Sequence, residues 1–166
     1  MGKVNKVLNN LEEYFGFFTL MLATLLIFVQ VVMRYVFNES IMWSAELARY
    51  LIIWFIFIGS SIAVRERAHA KVDVLITYVP TFYKKLLEIA ASFTAIIFCG
   101  FIFISGIQTI DNVTQFANYT PALRLPMFIP YLAIPVGAVL MGLRFFQLIW
   151  EDLQILREEK VKKQST

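Results

Sequence analysis

The chain has 166 residues, of which 59% are hydrophobic and 16% charged, with a net charge of +3 and a mean hydropathy of +0.69. Soluble domains run at roughly 45–50% apolar and about 25% charged, so this composition excludes an ordinary soluble domain and indicates one compact membrane protein. The basic residues flank apolar runs and form no separate basic domain, which excludes a nucleic-acid partner. The single cysteine, Cys99, excludes an intrachain disulfide.

Residues 3–13 place Val4, Val7, Leu8 and Leu11 at helical spacing among Lys3, Lys6, Glu12 and Glu13. They predict a short amphipathic lead-in at the membrane interface. The uncharged run from Tyr14 to Met33 is too long for a signal-peptide core. Arg34-Tyr35-Val36-Phe37 follows it instead of a small-residue cleavage site, so a retained span is expected over about 14–36. A turn from Phe37 to Met42 leads to Ser44, the predicted N-cap of a second span over about 44–65. Gly59 and Ala63 in that span are spaced for close approach by another helix.

Ala68 to Val79 is too short and too charged to cross a bilayer. Val72, Leu75, Ile76 and Val79 line one helical face and Lys71, Asp73 and Thr77 the other, which predicts a surface-lying helix stopped before Pro80. The third span is expected over about 87–110. A polar stretch then reaches Thr120-Pro121, and Pro126 and Pro130 suit the first turn of a fourth span, about 126–150. Pro135 is expected to bend that helix. Ala133, Gly137, Ala138 and Gly142 add small-residue pairs.

The predicted fold class is therefore an all-α integral membrane protein. It has four transmembrane helices within one domain, 1–150, an interfacial amphipathic helix between the second and third, and a charged tail, 151–166. Four spans put both termini on one side. Lys3, Lys6, Arg65, Arg67, Lys71, Lys84, Lys85, Arg144, Arg157, Lys160, Lys162 and Lys163 lie on that side; only Arg34, Arg49 and Arg124 lie opposite. The bias places both termini in the cytoplasm.

One His and one Cys exclude a bis-His haem and any multi-thiolate metal site, so no metal and no cofactor is expected. No glycine-rich phosphate loop is present, which excludes ATP binding. So few reactive groups argue against catalysis. An alternative is a self-sufficient small carrier acting as a homo-oligomer, which needs a carboxylate inside a span. Glu46 is the deepest acid of the second span yet lies near its outer end, and Glu88 and Asp111 sit at the ends of the third. A third reading is an anchor protein for some other complex.

The stretch Trp43-Ser44-Ala45-Glu46-Leu47-Ala48-Arg49-Tyr50 puts two opposite charges on one helical surface at the membrane lip. The plain expectation is a local Glu46–Arg49 ion pair. The sharper one is that Arg49, one turn further in, meets a partner subunit. Trp43, Trp54, Trp150, Tyr14, Tyr35, Tyr50 and Tyr131 read as interfacial anchors, with Trp54 deep enough to face lipid or another helix. His69 reads as a headgroup-level residue, and Asp73 as a partner for Lys71, Arg67 or another chain. Arg34, Arg65 and Arg144 are the remaining candidates for ion pairs or subunit contacts, and Gly59 and Gly137 for packing contacts.

The ordered set Arg34-Tyr35, Trp43-Ser-Ala-Glu46-Leu-Ala-Arg49-Tyr50, Trp54, Gly59, Ala63-Val64-Arg65 and His69-x-x-Val72-Asp73-Val74-Leu75 resembles the small membrane (Q) subunit of TRAP transporters. These are the tripartite ATP-independent periplasmic transporters. Leu125-Pro126-Met127 and Tyr131-x-x-Ile-Pro135-x-Gly137 continue the resemblance, which covers about 30–145. It implies a non-catalytic subunit bound to a large elevator-type membrane subunit. That assembly takes up an organic acid with sodium after a periplasmic binding protein delivers it transiently. The small subunit is expected to brace the scaffold within the lipid, to help dock the binding protein, and to hold neither substrate nor sodium. Sialic acid is the first expectation for the substrate and a C4-dicarboxylate the second, although no residue above separates them.

Overall fold

The structure, a computed structural model, describes residues 2–67, 81–115 and 118–164, with side chains described for 7–67, 85–115 and 118–157. The element order is α1 (Gly2–Val36), α2 (Met42–Arg65), α3 (Thr81–Gln115), a single turn α4 (Phe128–Tyr131) and α5 (Ala133–Gln164). Four segments are long and apolar enough to cross a membrane: Val7–Val36, Met42–Arg65, Lys85–Gln115 and Phe128–Arg157. All exceed the about 20 residues that a bilayer core requires, so each tilts or projects beyond it. The expected surface helix between the second and third spans, with His69 and Asp73, lies outside the described residues.

The lead-in is not a separate element, because α1 runs unbroken from Gly2. It stops where Asn38 takes a left-handed conformation (φ 54°). That lets the Glu39 N–H reach back to the Met33 carbonyl at 3.1 Å, a termination that asparagine tolerates better than most residues. Ser44 is not the N-cap. Ile41 is, and it makes no side-chain cap bond. Ser44 lies inside the first turn and donates its hydroxyl to the Ile41 carbonyl at 3.0 Å.

Pro126 precedes the fourth span, pairing with Tyr119 in an isolated antiparallel bridge. Pro135 sits in the first turn of α5, where its missing N–H costs little. Leu132, between α4 and α5, keeps a helical backbone, so the interruption is local. α5 continues past residue 150 without a break.

Among the described residues the helices pack as a row, α1 on α2, α2 on α5, and α5 on α3, with no comparable contact between α1 and α3. The fourth span is accordingly the most buried and the third the least. Two glycines let α5 enter the middle of the row. A Cβ on Gly137 would lie 2.6 Å from Phe57 Cβ, and one on Gly106 would lie 3.1 Å from Pro135 Cδ. Small residues bring helix backbones together where a hydrophobic drive between spans is absent. Gly59 does not serve this packing, since only Phe55 of its own helix lies within 4 Å of its Cβ position.

Candidate subunit interface

The charged residues gather at the two ends of the row. At the end that carries the termini, called inner after the topology expected from the basic residues, Glu12 of α1 and Arg144 of α5 are each 3–4% exposed and meet at 2.7 Å. Arg144 also donates to Asn9 Oδ1 at 2.8 Å and Gln147 Oε1 at 3.2 Å, while Ser61 donates to Glu12 Oε1 at 3.2 Å. The pair thus bridges the outer helix α1 to α5 across α2. Removing two charges from water is costly, and the added hydrogen bonds are what make such a pair tolerable. Arg65 reaches Glu13 at 2.6 Å and Glu66 at 3.0 Å.

A second cluster closes the same end. Asp152, 1% exposed, accepts from Arg67 at 3.0 Å and Lys85 at 2.7 Å. Arg67 also reaches Glu151, and Lys85 reaches Glu88. Asp152 therefore ties the end of α2 and the start of α3 to α5. Arg67 follows α2 in a left-handed conformation, φ 55°, and these bonds hold it there. Burial disfavours its charge, yet hydrogen bonds to Asp152 and Glu151 raise its pKa above the ordinary arginine value.

The outer end is built differently. Glu46, 7% exposed, accepts the backbone N–H groups of Ala122 at 2.8 Å and Leu123 at 3.1 Å, and the Tyr50 hydroxyl at 2.5 Å. Those amides lie at the tip of a folded loop. Thr120 N–H donates to Leu125 O at 2.9 Å, Leu125 N–H to Thr120 Oγ1 at 3.0 Å, and Met127 N–H to Asn118 O at 3.0 Å. The expected Glu46–Arg49 ion pair does not form: the carboxylate faces the loop, and Arg49 is exposed without an ion pair among the described residues.

Of the other candidates, Arg65, Arg144, Tyr50 and Gly137 are engaged within the chain. Trp54 meets another helix, its ring edge-to-face with Phe15 at 6.3 Å. Arg34 and Trp43 are exposed. Sequence reasoning gave no contact to Glu12 or Asp152. One available signal was that Glu12 and Arg144 carry opposite charges beside apolar runs that four-span parity puts on one side.

A family model for tripartite ATP-independent periplasmic transporters, DctQ component, matches residues 23–155. The chain belongs to the DctQ family of small TRAP transporter subunits. The match spans the rest of α1 through most of α5, including Glu46, Arg49, Arg144 and Asp152, and leaves Glu12 outside. A C4-dicarboxylate TRAP transporter small permease protein of Vibrio cholerae is 29% identical, with 90% of this chain and 74% of the relative covered. A putative TRAP transporter small permease protein of Haemophilus influenzae is 31% identical, covering 86% and 87%. A sialic acid TRAP transporter permease protein of Haemophilus influenzae is also 31% identical over 86% of this chain, but that match covers 23% of the relative. There the matching region is part of a much longer polypeptide. The protein is a multi-pass inner-membrane transporter component, the small subunit of a family whose partner is a large permease.

Proposed function

We infer that this chain is a non-catalytic scaffold. It braces a large elevator-type subunit during sodium-coupled uptake of an organic acid that a periplasmic binding protein delivers. The observation that carries this reading is the placement of charge. Glu12, Arg144, Asp152 and Glu46 are consumed in ties within the chain at the two ends of the row. Between the ends the outer faces carry bulky apolar groups such as Phe28 and Phe101. That suits a body held between lipid and a partner helix better than a pathway for an ion. The basic bias supports termini in the cytoplasm, with Glu46 and its loop on the periplasmic side.

Sialic acid is the first candidate on this reading and a C4-dicarboxylate the second; the names of the relatives include both acids and do not rank them. Reconstitution into liposomes tests the proposal. The chain alone is expected to carry neither acid, and uptake is expected only with the large subunit, the binding protein and an inward sodium gradient. Uptake by the chain alone would overturn the scaffold reading. Competition between the two acids in the full system names the substrate.

A further inference from the structure

We propose that the open face of α2 is the seat for a transmembrane helix of the large subunit, and that this helix brings a carboxylate to Arg49. The proposal rests on the scaffold reading above. Ala45, Arg49, Ile56, Gly59 and Ala63 recur at helical spacing along one stripe of α2. That stripe points away from both α1 and α5, which hold α2 through Phe55 against Gly16 and Phe57 against Gly137. Nothing but Phe55 lies within 4 Å of a Cβ on Gly59, and Ile56 is 54% exposed. The Ser60 hydroxyl, beside the stripe, is turned back on the Ile56 carbonyl at 2.7 Å, so it asks nothing of a neighbour.

The charge makes this face more than a stripe of small residues. Arg49 lies seven residues into α2, ~10 Å along the axis from Met42. The nearby acid, Glu46, is already occupied by two loop amides and Tyr50. Arg49 is therefore a cation within a candidate span that has no carboxylate partner among the described residues, and that complement is assigned to the large subunit. The outer face of α1 differs. Tyr14 and Tyr35 are 73% and 76% exposed and stand ~31 Å apart along the helix, close to the ~30 Å of a hydrocarbon core. With Phe17, Met21 and Phe28 between them, they form a lipid-facing surface with an aromatic residue at each interface. The α3 face at Ile97, Phe101 and Ile104 is bulky and uncharged.

The test uses the large subunit co-expressed with this chain in native-type membranes. A photo-reactive amino acid is placed at Ile56 or at Met21, and Arg49→Glu is made separately. The expected result is a covalent adduct with the large subunit from position 56, none from position 21, and at least about tenfold lower recovery of the large subunit with Arg49→Glu. An adduct from 21 and none from 56, or only lipid attached at 56, would overturn the proposal, the latter making Arg49 a headgroup anchor. Unchanged recovery with Arg49→Glu would overturn its charge half. If wild-type chain recovers no large subunit at all, the scaffold reading itself fails, which is a different result.

Discussion

The two ends of the helical row solve the same problem with different chemistry. At the inner end, side chain meets side chain: Glu12 with Arg144, and Asp152 with Arg67 and Lys85. At the outer end one carboxylate, Glu46, accepts from backbone amides of a loop, and the nearest cation is left over. The inner end pairs its buried charges within the chain, leaving Arg65 Nη1 and Arg144 Nε buried without a hydrogen-bond partner among the described residues. The outer end is ordered, yet it still presents an unpaired charge. A subunit that must be rigid and also recognise a partner can divide those tasks between its two ends.

The largest expected effect breaks the inner end. Glu12→Ala leaves Arg144 buried and uncompensated, and should cost about 3–5 kcal/mol, read as earlier thermal unfolding in detergent. A loss below 1 kcal/mol would mean that the pair does not hold α1 to α5. Next is the middle of the row, where Gly137→Ala drives a methyl into Phe57. A cost of about 1–3 kcal/mol is expected, read as earlier thermal unfolding in detergent; an unchanged midpoint would show that α5 does not press on Phe57 there.

At the outer end, Glu46→Ala removes the acceptor for two amides. Hydrogen exchange at Ala122 and Leu123 should accelerate while α5 amides in the middle of the row keep their protection. Unchanged exchange at the loop tip would show that Glu46 does not order it. The smallest effect belongs to Arg65→Ala, whose partner Glu13 is 55% exposed. It should cost less than about 1 kcal/mol, and a larger loss would put Arg65 in the same class as Arg144.

The spans were legible in the sequence because about 20 apolar residues are hard to disguise, and the turns at 37–41 and 118–127 follow from what lies between them. Helix ends were less so. Ser44 has the chemistry of a cap, but α2 begins two residues earlier, with Ile41 as an N-cap that offers no side-chain bond. The site divided by the kind of partner. Arg144 was a candidate from its position after an apolar run, but its link to Glu12 joins residues 132 apart, and helix order alone does not say that α2 packs between α1 and α5. Glu46 misled for a different reason. Two of its three partners are backbone amides, which carry no residue signature, whereas Arg49 at i+3 offered an obvious one.

On the proposed function, the buried charges of this chain hold helices together and take no part in coupling. Replacing the inner pair with apolar groups of similar size, Glu12→Leu with Arg144→Met, separates the two roles, since such exchanges of buried pairs are often neutral for stability. The double variant is expected to assemble with the large subunit and to support sodium-driven uptake at a rate close to the wild type. An assembled complex that binds the acid but has lost sodium-driven uptake would contradict it.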